Sequence, residues 1–292
     1  MDLALAVDVG GTKLAAGLVD SEGKLLYRAH FPTAGTDDPE ALFVRLCRLI
    51  DSVGASSQRQ AVVAGVGCGG PMTPGGEEVS PLNIAAWRNF PLKARLAEYT
   101  GLAVHVDNDA KALALGEGWV GAAKGESNFI AMVVSTGVGG GIVVDGRLLG
   151  GASGNAGHIG HVIVEPDGRT CGCGARGCLE AEASGPAIAA ATGAGAAEAK
   201  PEVIARAGSL VGRAVASVVN LCDLRLALVG GSVALGFGEP FFTAAQAELD
   251  ARACLAFSKG AVIGPVGLGD ASPLVGAAAV GWRGEGHDVG VA

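Results

Sequence analysis

The sequence predicts an α/β protein folded as two lobes. Three observations carry this. Apolar runs of strand length alternate with segments of helical period, and several of those runs end in glycine-rich turns. The chain has 292 residues, enough to bury a sizeable core, and two lobes are its natural division. A composition of 49% hydrophobic and 17% charged residues with 49 glycines describes a compact chain with many tight turns.

The elements follow in order. Leu3 to Val9 is an apolar run of strand length leading into Gly10, Gly11, Thr12 and Lys13, and Leu14 to Val19 is a second run. Two strands joined by a Gly-Gly turn make a hairpin. Its tip offers backbone N–H groups, a hydroxyl and the carboxylate of Asp8, a set suited to a phosphate and a hydrated magnesium ion; a plain hairpin accounts for the same residues equally well. The GxxxxGK[ST] spacing of a Walker loop is absent. Lys24 to Phe31 is a third strand. Pro39 to Val53 has helical period, with Leu42, Leu46, Leu49 and Ile50 on one face. Ala61 to Gly67 is a buried strand that delivers Cys68, Gly69, Gly70 and Pro71 into a turn suited to lining a cleft. Ser80 to Leu92 reads as a loop in which Asn83 and Trp87 either face a ligand or, for Trp87, cap the core.

Leu102 to Val106 is a short strand ending in Asp107, Asn108 and Asp109, and Ala110 to Trp119 reads as a helix. Asp109 then sits at a helix N-terminus, which favours a carboxylate. Capping explains one of these three polar residues, whereas open α/β sheets place ligands at the mouths of such strands. Phe129 to Val134 enters Ser135, Thr136, Gly137, Val138, Gly139, Gly140 and Gly141, with Ile142 to Val144 as the return strand. A second strand–glycine–strand unit in the other half of the chain suggests two lobes gripping one phosphate chain. Leu210 to Leu221 reads as a helix and Arg225 to Val229 as a strand ending in Gly230, Gly231 and Ser232, a third glycine turn where a nucleoside would lie against bare backbone. Glu239 to Ala253 and Leu274 to Trp282 read as helices, and the tail from Gly284 is expected to fray.

Between these lies GHIGHVIVEPDGRTCGCGARGCLE, Gly157 to Glu180. Cys171, Cys173 and Cys178 fall within eight residues, and His161 lies ten before the first. Three thiolates and one imidazole form a closed structural zinc set, and the intervening glycines allow the reversals that aim them at one point. A redox Cys-x-x-Cys pair needs two intervening residues, and Cys171 and Cys173 have one. A closed site leaves no open position on the metal, so zinc is expected to hold the loop while the chemistry lies beside it. Cys47, Cys68, Cys222 and Cys254 stand singly among apolar residues and read as buried free thiols. Seven cysteines without a regular framework fit a reducing cytoplasm.

The net charge of −8 argues against a nucleic-acid surface, which needs clustered Lys and Arg. No apolar run of about eighteen residues exists, so no membrane span is expected. The chain passes from Met1 and Asp2 straight into a strand pattern, so no signal peptide is expected.

Taken together, DVGGTK (Asp8 to Lys13), VDNDA (Val106 to Ala110), STGVGGG (Ser135 to Gly141), AGHIGH (Ala156 to His161), CGCGARGCLE (Cys171 to Glu180) and LVGGSV (Leu228 to Val233) resemble the ROK family of repressors, open reading frames and sugar kinases over nearly the whole chain. The resemblance implies an actin-like, ribonuclease H-like ATPase fold. Its smaller lobe would be residues 1–110 with a C-terminal helix at about 273–283, and its larger lobe 111–272 with the zinc loop at 157–180. It implies ATP-dependent phosphorylation of the 6-hydroxyl of a hexose, with Mg²⁺ beside the nucleotide, and a homodimer or homotetramer. By motif, Asp109 resembles the general base, and Asn108, His161 and Glu180 resemble sugar ligands, with Gly69 and Gly70 nearby and Asn83 added to that set. Asp8, Thr12, Thr136 and Gly137 resemble phosphate and magnesium contacts, joined by Gly10, Gly11, Lys13 and Gly139, and Gly231 resembles an adenosine contact. His161 would then serve zinc with one ring nitrogen and a sugar hydroxyl with the other.

One departure concerns specificity. The family pattern usually has Glu at His158, where it contacts the sugar near the anomeric end. An imidazole is bulkier and usually neutral at pH 7, so selection for a bare 2-hydroxyl should loosen. The AGHIGH form is similar to family members acting on N-acetylmannosamine, with a glucokinase as the alternative. A transcriptional regulator would need a helix-turn-helix before the first hairpin, which here begins within ten residues of Met1. A non-catalytic sugar sensor would tolerate loss of Asp8 and Asp109, and both are present.

Overall fold

The computed structural model describes residues 2–292, and the chain packs into two compact units. The first takes the residues through Gly125, then Leu148–Ala156 and Gly267–Ala292; the second takes Glu126–Arg147 and Gly157–Val266. Along the chain the first unit builds β1 (Leu3–Val9), β2 (Lys13–Asp20), β3 (Leu25–Pro32), α1 (Pro39–Gly54), β4 (Ala61–Cys68), α2 (Leu92–Thr100), β5 (Ala103–Asn108) and α3 (Asp109–Val120). Then follow β6 (Phe129–Val134), β7 (Val138–Val144), β8 (Arg147–Leu148), α4 (Leu179–Ala183), α5 (Gly185–Thr192), α6 (Pro201–Cys222), β9 (Leu226–Gly230), α7 (Ser232–Phe237), α8 (Glu239–Arg252) and β10 (Val262–Pro265). The first unit closes with α9 (Ser272–Gly284). Division after residue 110 would cut α3, which runs unbroken to Val120 within the first unit.

The first sheet has the order β3-β2-β1-β4-β5, with β1 and β2 antiparallel and β1, β4 and β5 parallel. β1 is buried along its whole length, so it reads as continuous Leu, Ala and Val rather than as alternation. α1 starts where Asp38 accepts a hydrogen bond from the Glu40 N–H (2.9 Å) and Pro39 opens the helix. Its buried face holds Leu42, Leu46, Leu49, Ile50 and Val53. Trp87 is fully buried, stacks on Phe90 with centroids 4.5 Å apart and donates to the Pro39 carbonyl, so it belongs to the core. α9 crosses this sheet at very short range: a Cβ on Gly65 of β4 would overlap the Ala277 carbonyl, and Gly116 of α3 meets Gly276 of α9. Backbone lies against backbone where these elements cross, which is why glycine occupies both helices.

The second sheet has the order β10-β9-β6-β7-β8, with β6 parallel to β9 and antiparallel to β7. Gly139, Gly140 and Gly141 lie inside β7, opposite Val133, Met132 and Ala131, so the turn is confined to Ser135–Gly137 and the strand begins earlier than Ile142. The Gly157–Gly160 segment lies directly on β7: side chains at Gly157 and Gly160 would overlap the carbonyls of Gly140 and Val138, and a Cβ on Gly140 would come 3.2 Å from the Gly157 carbonyl. α6 begins at Pro201 and reaches 22 residues, nine residues earlier than the apolar period alone indicates, because Pro at the first helical position starts it in a stretch with a weak apolar stripe. Cys47 and Cys68 are buried as expected; Cys222 is half-buried and Cys254 exposed. Both depart from the expected burial because they stand where α6 and α8 end, and the preceding Leu221 is itself 85% exposed. Among the described residues no helix is long and apolar enough to cross a membrane.

Candidate active site and metal centre

On the first unit, the parallel register brings three strand ends level. Asp8 pairs with Gly67 and Gly67 with Asp107, while Cys68 pairs with both Val9 and Asn108. Side chains at the carboxyl edge of such a sheet share one crevice. The β1–β2 turn is closed by Gly10 N–H to the Lys13 carbonyl (3.0 Å), and Thr33 Oγ1 donates to the Gly10 carbonyl (2.7 Å). Gly11 lies against Asn83, since a Cβ there would come 2.6 Å from the Asn83 Cβ. The Leu82 N–H donates to the Gly70 carbonyl (3.2 Å) and holds that loop in place. Asp8, Gly10, Gly11, Thr12, Lys13, Gly69, Gly70, Asn83, Asn108 and Asp109 are therefore brought to one edge of the first sheet.

Asn108 is the cap of α3: its side chain accepts from the Ala110 N–H (3.0 Å) and the Lys111 N–H (3.4 Å). Asp109 occupies the first turn, where its Oδ1 accepts from the Ala110 N–H at 2.8 Å. The unpaired N–H groups of the helix start favour its charge. Asp8 is 9% exposed. Burial raises its carboxyl from 3.8 to about 7, the charge of Asp109 pushes in the same direction and Lys13 opposes both. Cys68, buried beside both carboxylates, is held well above the ordinary thiol range by burial first and by Asp109 and Asp8 next. Two carboxylates in mutual repulsion, one of them buried, form a set that a divalent cation with oxygen ligands would relieve.

Sequence reasoning missed Lys111. Its ammonium is buried, pairs with Asp107 at 2.7 Å and donates to the Gly154 carbonyl (3.3 Å), tying the start of α3 to the 148–156 segment. The signal was present as Asp and Lys four residues apart across the strand–helix junction.

On the second unit the Ser135–Gly137 turn, the Gly231 turn and the start of α5 converge. Ser135 Oγ lies 2.9 Å from Ser232 Oγ, and the Gly185 N–H donates to the Ser135 carbonyl (2.8 Å). Gly231 has φ +95° and no room for a side chain against Val134, so only glycine fits. Thr136, Gly137 and Gly231 are thus brought together, while Gly139 lies within β7 rather than in the turn. Glu180 Oε2 accepts from the Val138 N–H at 2.8 Å, which fixes that carboxylate one residue beyond the turn. His158 and His161 are carried on the segment packed across β7, with their rings 6.1 Å apart and inclined by 18°.

His161, Cys171, Cys173 and Cys178 bring their ligand atoms within 4.8 Å of one another. The Cys173 and Cys178 sulfurs are 3.7 Å apart, as are Cys171 Sγ and His161 Nδ1. Zinc bonded to sulfur at about 2.3 Å separates tetrahedral sulfurs by about 3.8 Å, so the donor set has the spacing as well as the chemistry of a zinc site. A tight turn sets Cys171 and Cys173: Cys171 N–H donates to the Ala175 carbonyl (2.8 Å) and Gly174 N–H returns to the Cys171 carbonyl (2.9 Å). With Nδ1 facing the thiols, Nε2 lies on the opposite side of the His161 ring.

A family model described as "ROK family" matches residues 4–282. The N-acetylmannosamine kinase of Citrobacter koseri is 38% identical over 250 residues, covering 80% of this chain and 84% of that protein. Among solved structures, a ROK family glucokinase from Streptomyces griseus in complex with glucose and AMPPNP superimposes with a TM-score of 0.85 at 30% identity, over 96% of this chain and 99% of that one. A ROK hexokinase from Thermus thermophilus follows with a TM-score of 0.80 at 32% identity, over 97% and 99%. With its motifs gathered at the edges of two sheets and a matching model over almost its full length, the chain belongs to the ROK family.

Proposed function

We propose that the chain is an ATP-dependent sugar kinase that phosphorylates the 6-hydroxyl of N-acetylmannosamine. The observation that carries this reading is Asp109, a carboxylate in the first turn of α3 at the carboxyl edge of a parallel sheet, within electrostatic reach of buried Asp8. It stands in a chain 38% identical to a protein named N-acetylmannosamine kinase. A primary hydroxyl is a poor nucleophile, and Asp109 orients it and accepts its proton. By motif, Asn83, Asn108, Gly69 and Gly70 are sugar contacts, and so are His158, His161 and Glu180. Glu180 commits one oxygen to the Val138 N–H, which aims the other at the sugar. The backbone of Gly10 and Gly11 with Thr12 and Lys13, and that of Thr136 and Gly137, receives the phosphates of ATP, and Gly231 leaves bare backbone for the adenosine. Asp8 would hold Mg²⁺, which would supply charge neutralisation at the phosphate oxygens. His161, Cys171, Cys173 and Cys178 would hold a structural zinc, which would fix the loop and the tautomer of His161 and leave no open position for chemistry.

His158 in place of the family's usual Glu supports an N-acyl sugar, whereas the fit to the Streptomyces glucokinase supports glucose as a second reading. The proposal carries with it a homodimer or homotetramer in the cytoplasm and no nucleic-acid partner. ADP release measured with N-acetylmannosamine, glucose, mannose, N-acetylglucosamine and allose tests it. N-acetylmannosamine should give the highest kcat/KM. A preference for glucose favours the second reading, and no turnover with any sugar removes the kinase.

A further inference from the structure

The metal loop has a second anchorage that the four ligands do not supply. Glu182, two residues after Glu180 and only 3% exposed, turns its carboxylate back under the loop. Oε1 accepts from the Arg169 backbone N–H at 2.7 Å, and Oε2 accepts from Arg206 Nη2 of α6 at 2.9 Å. Gly168 has no room for a Cβ beside that carboxylate. Arg169 in turn donates through Nη1 to the Ala187 carbonyl of α5 (2.8 Å). On the His161 side, Arg213 of α6 donates to the Val164 carbonyl (2.8 Å) and to Glu165 Oε1 (3.1 Å), while Arg206 also reaches Glu165 Oε2 at 3.5 Å. The two arms of the loop, one leaving His161 and one entering at Arg169 toward the cysteines, are thus fastened to one long helix by guanidiniums.

We infer that Glu182 is a positioning residue for the metal centre: with Arg206 it holds the base of the cysteine loop so that three thiols and an imidazole are preassembled before the metal arrives. This inference rests on the metal-site reading above. Preassembly matters because a loop with glycines at 168, 172, 174 and 177 loses much backbone freedom when it closes on an ion. Groups that orient ligands typically account for about 10–100-fold in metal affinity. An amide at 182 can offer an acceptor to the Arg169 N–H or to Arg206, but its NH₂ meets donors on whichever side it faces. Glu182→Gln therefore preserves size and loses one of the two tethers. Arg206 is 44% exposed at its side chain, so Arg206→Met removes the guanidinium tether to Glu182, and the weaker one to Glu165, from a half-exposed position, while the Arg169 N–H and guanidinium stay beside the carboxylate.

The test is zinc affinity of the full chain, read by competition with a chromophoric chelator, together with the absorption spectrum after Co²⁺ replacement. Both variants should bind zinc about 10–100-fold more weakly than wild type and still reach a three-thiolate cobalt spectrum at saturation, since every ligand is retained. If Glu182→Gln does not fold, Arg206→Met decides alone. Wild-type affinity in the variants that fold overturns the inference while leaving the metal site standing. Wild-type protein that binds neither zinc nor cobalt removes the metal site and the inference with it. The readout is independent of turnover, so failure of the kinase reading is distinguishable from both.

Discussion

Asp8 gives the structure a stability that depends on pH in a direction opposite to that of an ion-paired carboxylate. Its carboxyl is raised from 3.8 to about 7 by burial first and by Asp109 second. Between those values the folded chain keeps a proton that the unfolded chain has released. Stability therefore falls as pH rises through that window, and the cost is complete above pH 7. A rise of about three units at about 1.4 kcal/mol each amounts to about 4 kcal/mol. Asp8→Asn removes the charge and keeps the shape. In magnesium-free buffer, urea unfolding at pH 5, 6, 7 and 8 should show the variant gaining on wild type as pH rises, to about 4 kcal/mol at pH 8. Adding Mg²⁺ at pH 8 should stabilise wild type and leave the variant unchanged, because a cation at Asp8 takes the place of the proton. Parallel stability curves from pH 5 to 8 would refute the buried charge, and equal responses to Mg²⁺ would refute its role as a cation ligand.

Two further predictions concern the frame that carries the site. Gly65→Ala places a methyl group on the Ala277 carbonyl of α9, so the helix must move or the strand bend; thermal denaturation should show a loss of about 3 kcal/mol, and an unchanged Tm would contradict the packing. Glu117 is fully buried and accepts from the N–H groups of Ala122, Gly267 and Leu268 and from the Ser272 hydroxyl. Glu117→Ala orphans all four donors at about 1–3 kcal/mol each, so the variant should be recovered unfolded or with a Tm lowered by more than 10 °C; a loss of a degree or two would show that water replaces the carboxylate.

Much of this was legible in the sequence where residue chemistry and spacing are local. The DVGGTK turn, the Asp107–Asp109 strand end and the cluster of His161 with three cysteines lie within short windows, and their backbone demands are written as glycine and capping residues. What was not legible depended on distant pairings. Gly139–Gly141 read as a turn because three glycines usually break a strand; they are strand residues paired with β6, and Gly140 lies against Gly157 and Ile159 from another part of the chain. Trp87 could not be assigned to core or ligand until its stacking on Phe90 was seen. Cys222 and Cys254 have apolar sequence neighbours, yet helix ends bring them to the surface. Glu182 carries no local signal, and only the fold reveals Arg206, 24 residues on, against it.

The central claim is that Asp109 accepts the proton of a sugar hydroxyl during transfer from ATP. Its most direct test is product formation from N-acetylmannosamine and ATP, followed by ³¹P NMR and mass spectrometry, with wild type and Asp109→Asn in parallel and sugar affinity measured by calorimetry. Wild type should yield the 6-phosphate, and the variant should bind the sugar with little change while turnover falls by at least about 100-fold. Undiminished turnover in Asp109→Asn would contradict the account.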